Sequence, residues 1–163
     1  SGEISVLAVI EDIPLPAGAQ GPPTLQSVPT GVTVNPAGGI YVGLLSGGPF
    51  PPGAAKILAI AEDGTQSDAA TELTMVTDVA VGPDGNLYAC QISTNFLTEP
   101  PAAGNVVRIL ADGTQEIVVD GLMLPNGIAF DAAGNLFIVT GAVGVAEPAG
   151  MVLRADGIAA PSA

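Results

Sequence analysis

Thr30-Gly-Val-Thr-Val-Asn-Pro-Ala-Gly-Gly-Ile-Tyr-Val-Gly43 recurs as Thr77-Asp-Val-Ala-Val-Gly-Pro-Asp-Gly-Asn-Leu-Tyr-Ala-Cys90 and again as Asn126-Gly-Ile-Ala-Phe-Asp-Ala-Ala-Gly-Asn-Leu-Phe-Ile-Val139, at offsets of 47 and 49 residues. A second element follows each copy: Gly53-Ala-Ala-Lys-Ile-Leu58, Gly104-Asn-Val-Val-Arg-Ile109 and Gly150-Met-Val-Leu-Arg154, leading to Asp63-Gly64, Asp112-Gly113 and Asp156-Gly157. Asp-Gly and Ala-Gly pairs supply the positive φ angles of tight hairpin turns, and β-branched or alternating runs fill the intervals. Four short strands per period of about 45 residues is the pattern of a β-propeller blade. The fold class expected is therefore all-β, a propeller of three four-stranded blades.

In the first copy the strands are expected over Gly31 to Val34, Gly39 to Gly43, Ala55 to Ile60 and Gln66 to Leu73, with the same pattern from Asp78 and from Gly127. The opening Ser1-Gly-Glu-Ile-Ser-Val-Leu7 matches the start of a fourth, outer strand, as in Gly113-Thr-Gln-Glu-Ile-Val-Val119, whereas the last copy stops after its third strand. This divides the chain into an outer strand over residues 1–10, a Pro/Gly-rich connector over 11–28, blades over 29–75 and 76–124, and a blade over 125–163 without its outer strand. Closed propellers need at least about four blades, and an incomplete blade presents an unpaired edge. Either the sequence is part of a longer chain, or copies join head to tail. In the second case Glu3, Ile4 and Val6 of one copy would pair with the strand carrying Met151 and Leu153 of another, giving a ring of six blades or an open filament.

Composition removes whole classes of function. The 163 residues hold 3 Lys+Arg against 16 Asp+Glu and no His, a net charge of −13 that repels phosphate backbones and anionic lipid. With four Phe, two Tyr and no Trp, little is left for stacking on bases or sugars. Without His and with Cys90 alone, the chain cannot build a Cys/His zinc site, a Ser-His-Asp triad or an internal disulfide. Yet 48% of residues are hydrophobic and only 12% charged, so the acidity is not that of a disordered chain and a core can form. No apolar run approaches the roughly 18 residues of a membrane span, and no basic segment followed by an apolar one opens the chain. A soluble protein without nucleic-acid partners is expected, any export signal having been removed.

At Val28-Pro-Thr-Gly-Val-Thr-Val34, Tyr41-Val-Gly-Leu-Leu-Ser-Gly-Gly-Pro-Phe-Pro-Pro-Gly-Ala-Ala-Lys56 and Thr77-Asp-Val-Ala-Val-Gly-Pro-Asp-Gly-Asn-Leu-Tyr88 the sequence resembles the ScyD/ScyE family of NHL-like β-propellers, over about Gly2 to Gly157. The Gly-Pro-Phe-Pro-Pro-Gly-Ala-Ala-Lys stretch is the specific part. Members are usually much longer, so the resemblance implies that this chain corresponds to a C-terminal half. It also implies an exported bacterial protein, extracellular or periplasmic, often with no assigned catalytic activity.

Two positions stand out as candidate metal ligands. Where Gly31 and Gly127 stand in two copies, the middle copy carries Asp78, an acid at the expected channel mouth with Thr30, Thr77 and Asn126 in register. Such oxygen donors suit a hard cation, so Ca²⁺ is the one cofactor considered; a hydrogen-bonded turn is the competing reading. Leu124-Pro-Asn-Gly-Ile-Ala-Phe130 resembles the Pro-Asn-Gly motif of the gluconolactonase/SMP-30 propellers, which implies a ligating role for Asn126. The acid expected after the next strand of that family is replaced here by Thr140.

No catalytic residue is assigned. Cys90 aligns with Gly43 and Val139, a place for a small buried hydrophobe. Lys56, Arg108 and Arg154, all three cations of the chain, occupy one repeated element, as one ion pair per blade or as an anion stripe. Long loops over Leu44 to Pro52, Gln91 to Ala103 and Thr140 to Ala149 are expected on one face. The leading expectation is a non-catalytic secreted module acting in protein interaction or self-assembly, as a homo-oligomer or with another protein. The alternative is a Ca²⁺-dependent lactonase-like hydrolase or ligand-binding propeller.

Overall fold

The computed structural model describes residues 2–15, 17–18, 20–141 and 150–161. Every regular element among them is a strand: β1 (Ile13–Pro14), β2 (Thr24–Leu25), β3 (Ser27–Val34), β4 (Ile40–Ser46), β5 (Ala55–Ile60), β6 (Gln66–Leu73), β7 (Val76–Val81), β8 (Leu87–Gln91), β9 (Gly104–Ile109), β10 (Gln115–Leu122), β11 (Gly127–Phe130), β12 (Leu136–Thr140) and β13 (Met151–Ala155). They form antiparallel sheets in the orders β3-β4-β5-β6, β7-β8-β9-β10 and β11-β12-β13, with β1-β2 as a separate two-stranded ladder. This is the all-β, partial-propeller architecture that the repeat predicts.

The hairpins form where the sequence places its Asp-Gly pairs. Gly64 and Gly113 both adopt φ +85, which costs an L side chain strain but not glycine. The preceding acids close the turns: Asp63 and Asp112 accept the backbone N–H of Thr65 and Thr114, each at 2.9 Å. Those bonds hold both carboxyls below the ordinary Asp range. The contribution to stability is therefore present above the unfolded carboxylate range and is lost as pH falls through the depressed values.

Blades stack face to face. Ile57, Ala70 and Leu73 of the first blade bury against Val79, Leu87, Ala89, Val107 and Ile109 of the second. The opposite face of the second blade (Tyr88, Cys90, Val106) buries against Ile128, Leu136 and Ile138 of the third. Cys90 is fully buried here, as expected from its alignment. Burial pushes its thiol up to about 12; a hydrogen bond with Thr77 works against that shift and the charge of Asp78 adds to it. At pH 8 a thiol-exchange reagent is expected to leave the native protein unlabelled and to label Cys90 fully after unfolding. Native labelling at the rate of a free thiol would contradict this packing.

Three expectations change. Within the single chain, residues 2–12 join no ladder among the described residues, so the outer strand expected over residues 1–10 has no partner edge here. A ladder needs a neighbouring edge, and the segment lies instead over the first blade, where Ala8 and Ile10, with Ile13, Leu15 and Leu25, cover Val42, Leu44, Leu58 and Ile60. The connector expected over 11–28 is not wholly irregular: β1 pairs β2 within it, and β3 begins at Ser27. The cations do not share one position. Arg108 stands opposite Tyr88 and Arg154 opposite Phe137, whereas Lys56 stands opposite Leu44, the register of Asn105 and Met151. Each cation still makes one ion pair within its blade, with Asp68, Glu116 and Asp156 respectively. These are surface pairs, worth about 1 kcal/mol or less each.

Candidate functional site

The inner strands β3, β7 and β11 lie side by side, and a column of small polar residues joins them. The single O–H of Thr30 is shared between Gly43 O (3.1 Å) in its own blade and Val76 O (2.9 Å) in the next. Thr77 repeats the arrangement toward Cys90 O and Pro125 O, both at 3.4 Å. The register that the sequence alignment gives these threonines is thus a set of stitches between successive blades.

Asp78 occupies the centre of this column. Its Oδ1 accepts the N–H of Val79 and its Oδ2 accepts the N–H of Ile128 on β11, each at 2.9 Å. The departure from the repeat has a steric cause. A Cβ at Gly31 would stand 2.4 Å from Asp78 Oδ1 and 2.7 Å from both Asp78 Cα and Val79 N, whereas one at Gly127 would lie 3.7 Å from Oδ2. The carboxylate lies between the two glycines, and the absence of a side chain at Gly31 is what lets β3 and β7 approach.

Asn126, exposed, immediately precedes β11, with its backbone N–H donated to Val139 O at 2.9 Å. The structure therefore brings Asp78 and Asn126 into one neighbourhood, with the Asp78–Ile128 bond fixing the strand that Asn126 starts. As a cation site the set falls short. Ca²⁺ takes six to eight oxygens, and beside the single carboxylate of Asp78 the column offers only Thr30 and Thr77, whose hydroxyls are turned to backbone carbonyls. No three His, Cys, Asp or Glu side chains lie together among the described residues. The donors present do not fit a metal of this kind.

Two features of the same chain lay outside the sequence reading. Gln91 and Asn105 are buried and bond to each other (Nε2 to Oδ1, 2.7 Å), and Gln91 Oε1 accepts the N–H of Thr74, whose Oγ1 in turn accepts the N–H of Gly53 at 3.0 Å. This chain of bonds ties the second blade to the loop of the first. The loops expected on one face do meet, through an edge-to-face contact of Phe50 with Phe96 at 5.9 Å; of the third, expected over Thr140 to Ala149, residues 142–149 lie outside those described. A hollow of about 350 Å³, mostly apolar, is lined by Pro100, Pro101, Ala102, Leu122, Met123 and Leu124, next in the chain to Pro125-Asn126. No sequence signal marks it, because its walls combine the 100–103 loop with the end of β10 and the turn that follows.

The family model described as the SMP-30/gluconolactonase/LRE-like region matches residues 62–145, a little over half of the chain. No curated protein matches it. Among solved structures, an X-ray structure of a protein assigned provisionally as a gluconolactonase is similar over 89% of this chain and 69% of its own, at 16% identity and a TM-score of 0.39.

Proposed function

Since the chain belongs to the SMP-30/gluconolactonase/LRE-like family, we propose that it is a ligand-binding propeller of lactonase-like character, taking a small cyclic ester where Asp78 and Asn126 come together. The observation that carries this reading is that both residues fall inside the matched span and that Asp78 bonds the strand that Asn126 starts. The Asn126 amide is exposed and can donate to an ester carbonyl. Asp78 retains a lone pair on each oxygen, so it can take a proton from water as that water adds to the carbonyl carbon and hand the proton to the ring oxygen as the C–O bond opens, giving a hydroxy acid. A hollow in the size range of small-molecule sites is lined by Leu124, two residues before Asn126 in the chain.

The test is acid release from a panel of γ- and δ-lactones, read by a pH indicator, together with lactone-induced shifts in melting temperature. Turnover is expected from the unaltered chain, with a loss of about tenfold or more in Asn126→Ala at unchanged melting temperature. The absence of both acid release and a thermal shift with every lactone of the panel would overturn the reading.

A second reading, a non-catalytic exported module of ScyD/ScyE type, is favoured by one observation. Both carboxylate oxygens of Asp78 are already engaged with backbone N–H groups, the arrangement of a structural tie. In that case Asn126→Ala changes nothing measurable.

A further inference from the structure

The two complete blades repeat a contact that the N-terminal segment also makes. Gln115, first residue of β10, donates Nε2 to Thr71 O on β6, the outer strand of the preceding blade, at 2.8 Å. Gln66, first residue of β6 and so the equivalent of Gln115, donates Nε2 to Val9 O at 3.0 Å. Val9 therefore stands where the outer strand of a blade before the first would stand, although no such blade is among the described residues and residues 2–12 join no ladder there. Ile4 and Val6 are 98% and 80% exposed, an extended apolar stretch without a sheet to join.

At the other end, β13 has β12 on one side and no strand on the other among the described residues. The face it shares with β12 repeats a buried one. By ladder register Phe137, Val139 and Val152 are equivalent to Tyr88, Cys90 and Val106, which are fully buried under the third blade. In the third blade Val139 and Val152 are 45% and 71% exposed. What covers such a face elsewhere in this molecule is the next blade, and what completes such a sheet is a fourth strand.

We propose that a second copy of this chain docks on the β12–β13 face, inserting its residues 2–9 as the fourth strand beside β13 and bringing its first blade, with the exposed Val32 and Val34, against Val139 and Val152. The contact on the first blade is confined to its inner strand, because Val42, Leu44, Leu58 and Ile60 of that face are already covered by residues of the 8–25 segment. Charge agrees with the pairing: Arg154, whose pair with Asp156 is exposed, stands on β13 where Arg108 on β9 pairs with Glu116 of the outer strand, and the incoming segment carries Glu3. The contact is head to tail, so two copies close a ring of six blades if the rotation permits and otherwise grow a filament. The inference is independent of the lactone reading.

Light scattering on the full chain over a range of concentrations tests it, with Ile4→Asp/Val6→Asp as the strand variant and Val152→Asp as the face variant, all at exposed positions. The unaltered chain is expected at twice its 16.0 kDa mass or more, and each variant at the mass of one chain with its far-UV spectrum unchanged. Mixing the variants restores a dimer, since one retains the docking face and the other the strand. A monomer at every concentration, or association that survives both variants, would overturn the proposal.

Discussion

Gly31→Ala is expected to destabilise the protein by about 3 kcal/mol, the upper range for added volume in a packed site, which for a chain of this length lowers the melting temperature by roughly 6–12 °C. The added Cβ meets Asp78 Oδ1 at 2.4 Å and the Asp78 Cα and Val79 N at 2.7 Å, and only the first of these belongs to a side chain. Backbone atoms cannot rotate away, so β3 and β7 must separate, loosening the Thr30–Val76 bond with them. The repeat supplies the control. Gly127 holds the equivalent place in the third blade, but a Cβ there has nothing nearer than Asp78 Oδ2 at 3.7 Å, so Gly127→Ala is expected to cost less than about 1 kcal/mol. Thermal and denaturant melts of the two variants check the contrast, and equal melting of both would contradict the account.

Asp78→Ala is the second large effect. It removes the acceptor of two backbone N–H groups, one of them on the neighbouring blade. Bonds to a charged acceptor are worth about 1.5–3 kcal/mol each, and a buried donor left alone carries a desolvation cost. Because the site is only half-buried, a net loss of about 2–3 kcal/mol is expected rather than the sum. Asp78→Asn keeps one oxygen and should lose less. Chelator should leave the difference in melting between the unaltered protein and either Asp78 variant unchanged, because the donors around Asp78 do not make a cation site. A chelator-induced fall in melting temperature, abolished by Asp78→Asn, would contradict this.

Much of the fold was legible in the sequence because a propeller repeats it: the Asp-Gly turns and the β-branched runs recur at a fixed interval, and Ala55–Ile60 and Gln66–Leu73 are strands with the expected bounds. The N-terminal segment was legible only as a pattern. Glu3-Ile4-Ser5-Val6 reads as a strand, but a strand exists only with a partner edge, which propensity does not provide. Aligning the copies on Gly53, Gly104 and Gly150 hid the true place of Lys56, because ladder register follows strands β4, β8 and β12 and not the loop that precedes each β-strand. At the site, Asp78 was visible as a break in the repeat, and the residue types there suggested ligands. The reason for the break lay in three dimensions, since Gly31 and Gly127 flank the carboxylate from sequence positions far away on either side. Gln91 and Asn105 left no signal at all, since two amides in separate strands become a network only when the loop of another blade closes over them.

Asp78 binds the second blade to the third through the Ile128 amide. Native-state hydrogen exchange of that one amide tests it most directly. The account predicts that Ile128 N–H is strongly protected in the unaltered chain and exchanges many times faster in Asp78→Ala, while amides in the β4–β5 ladder keep their protection. An Ile128 amide that exchanges at the same rate in both proteins would contradict it.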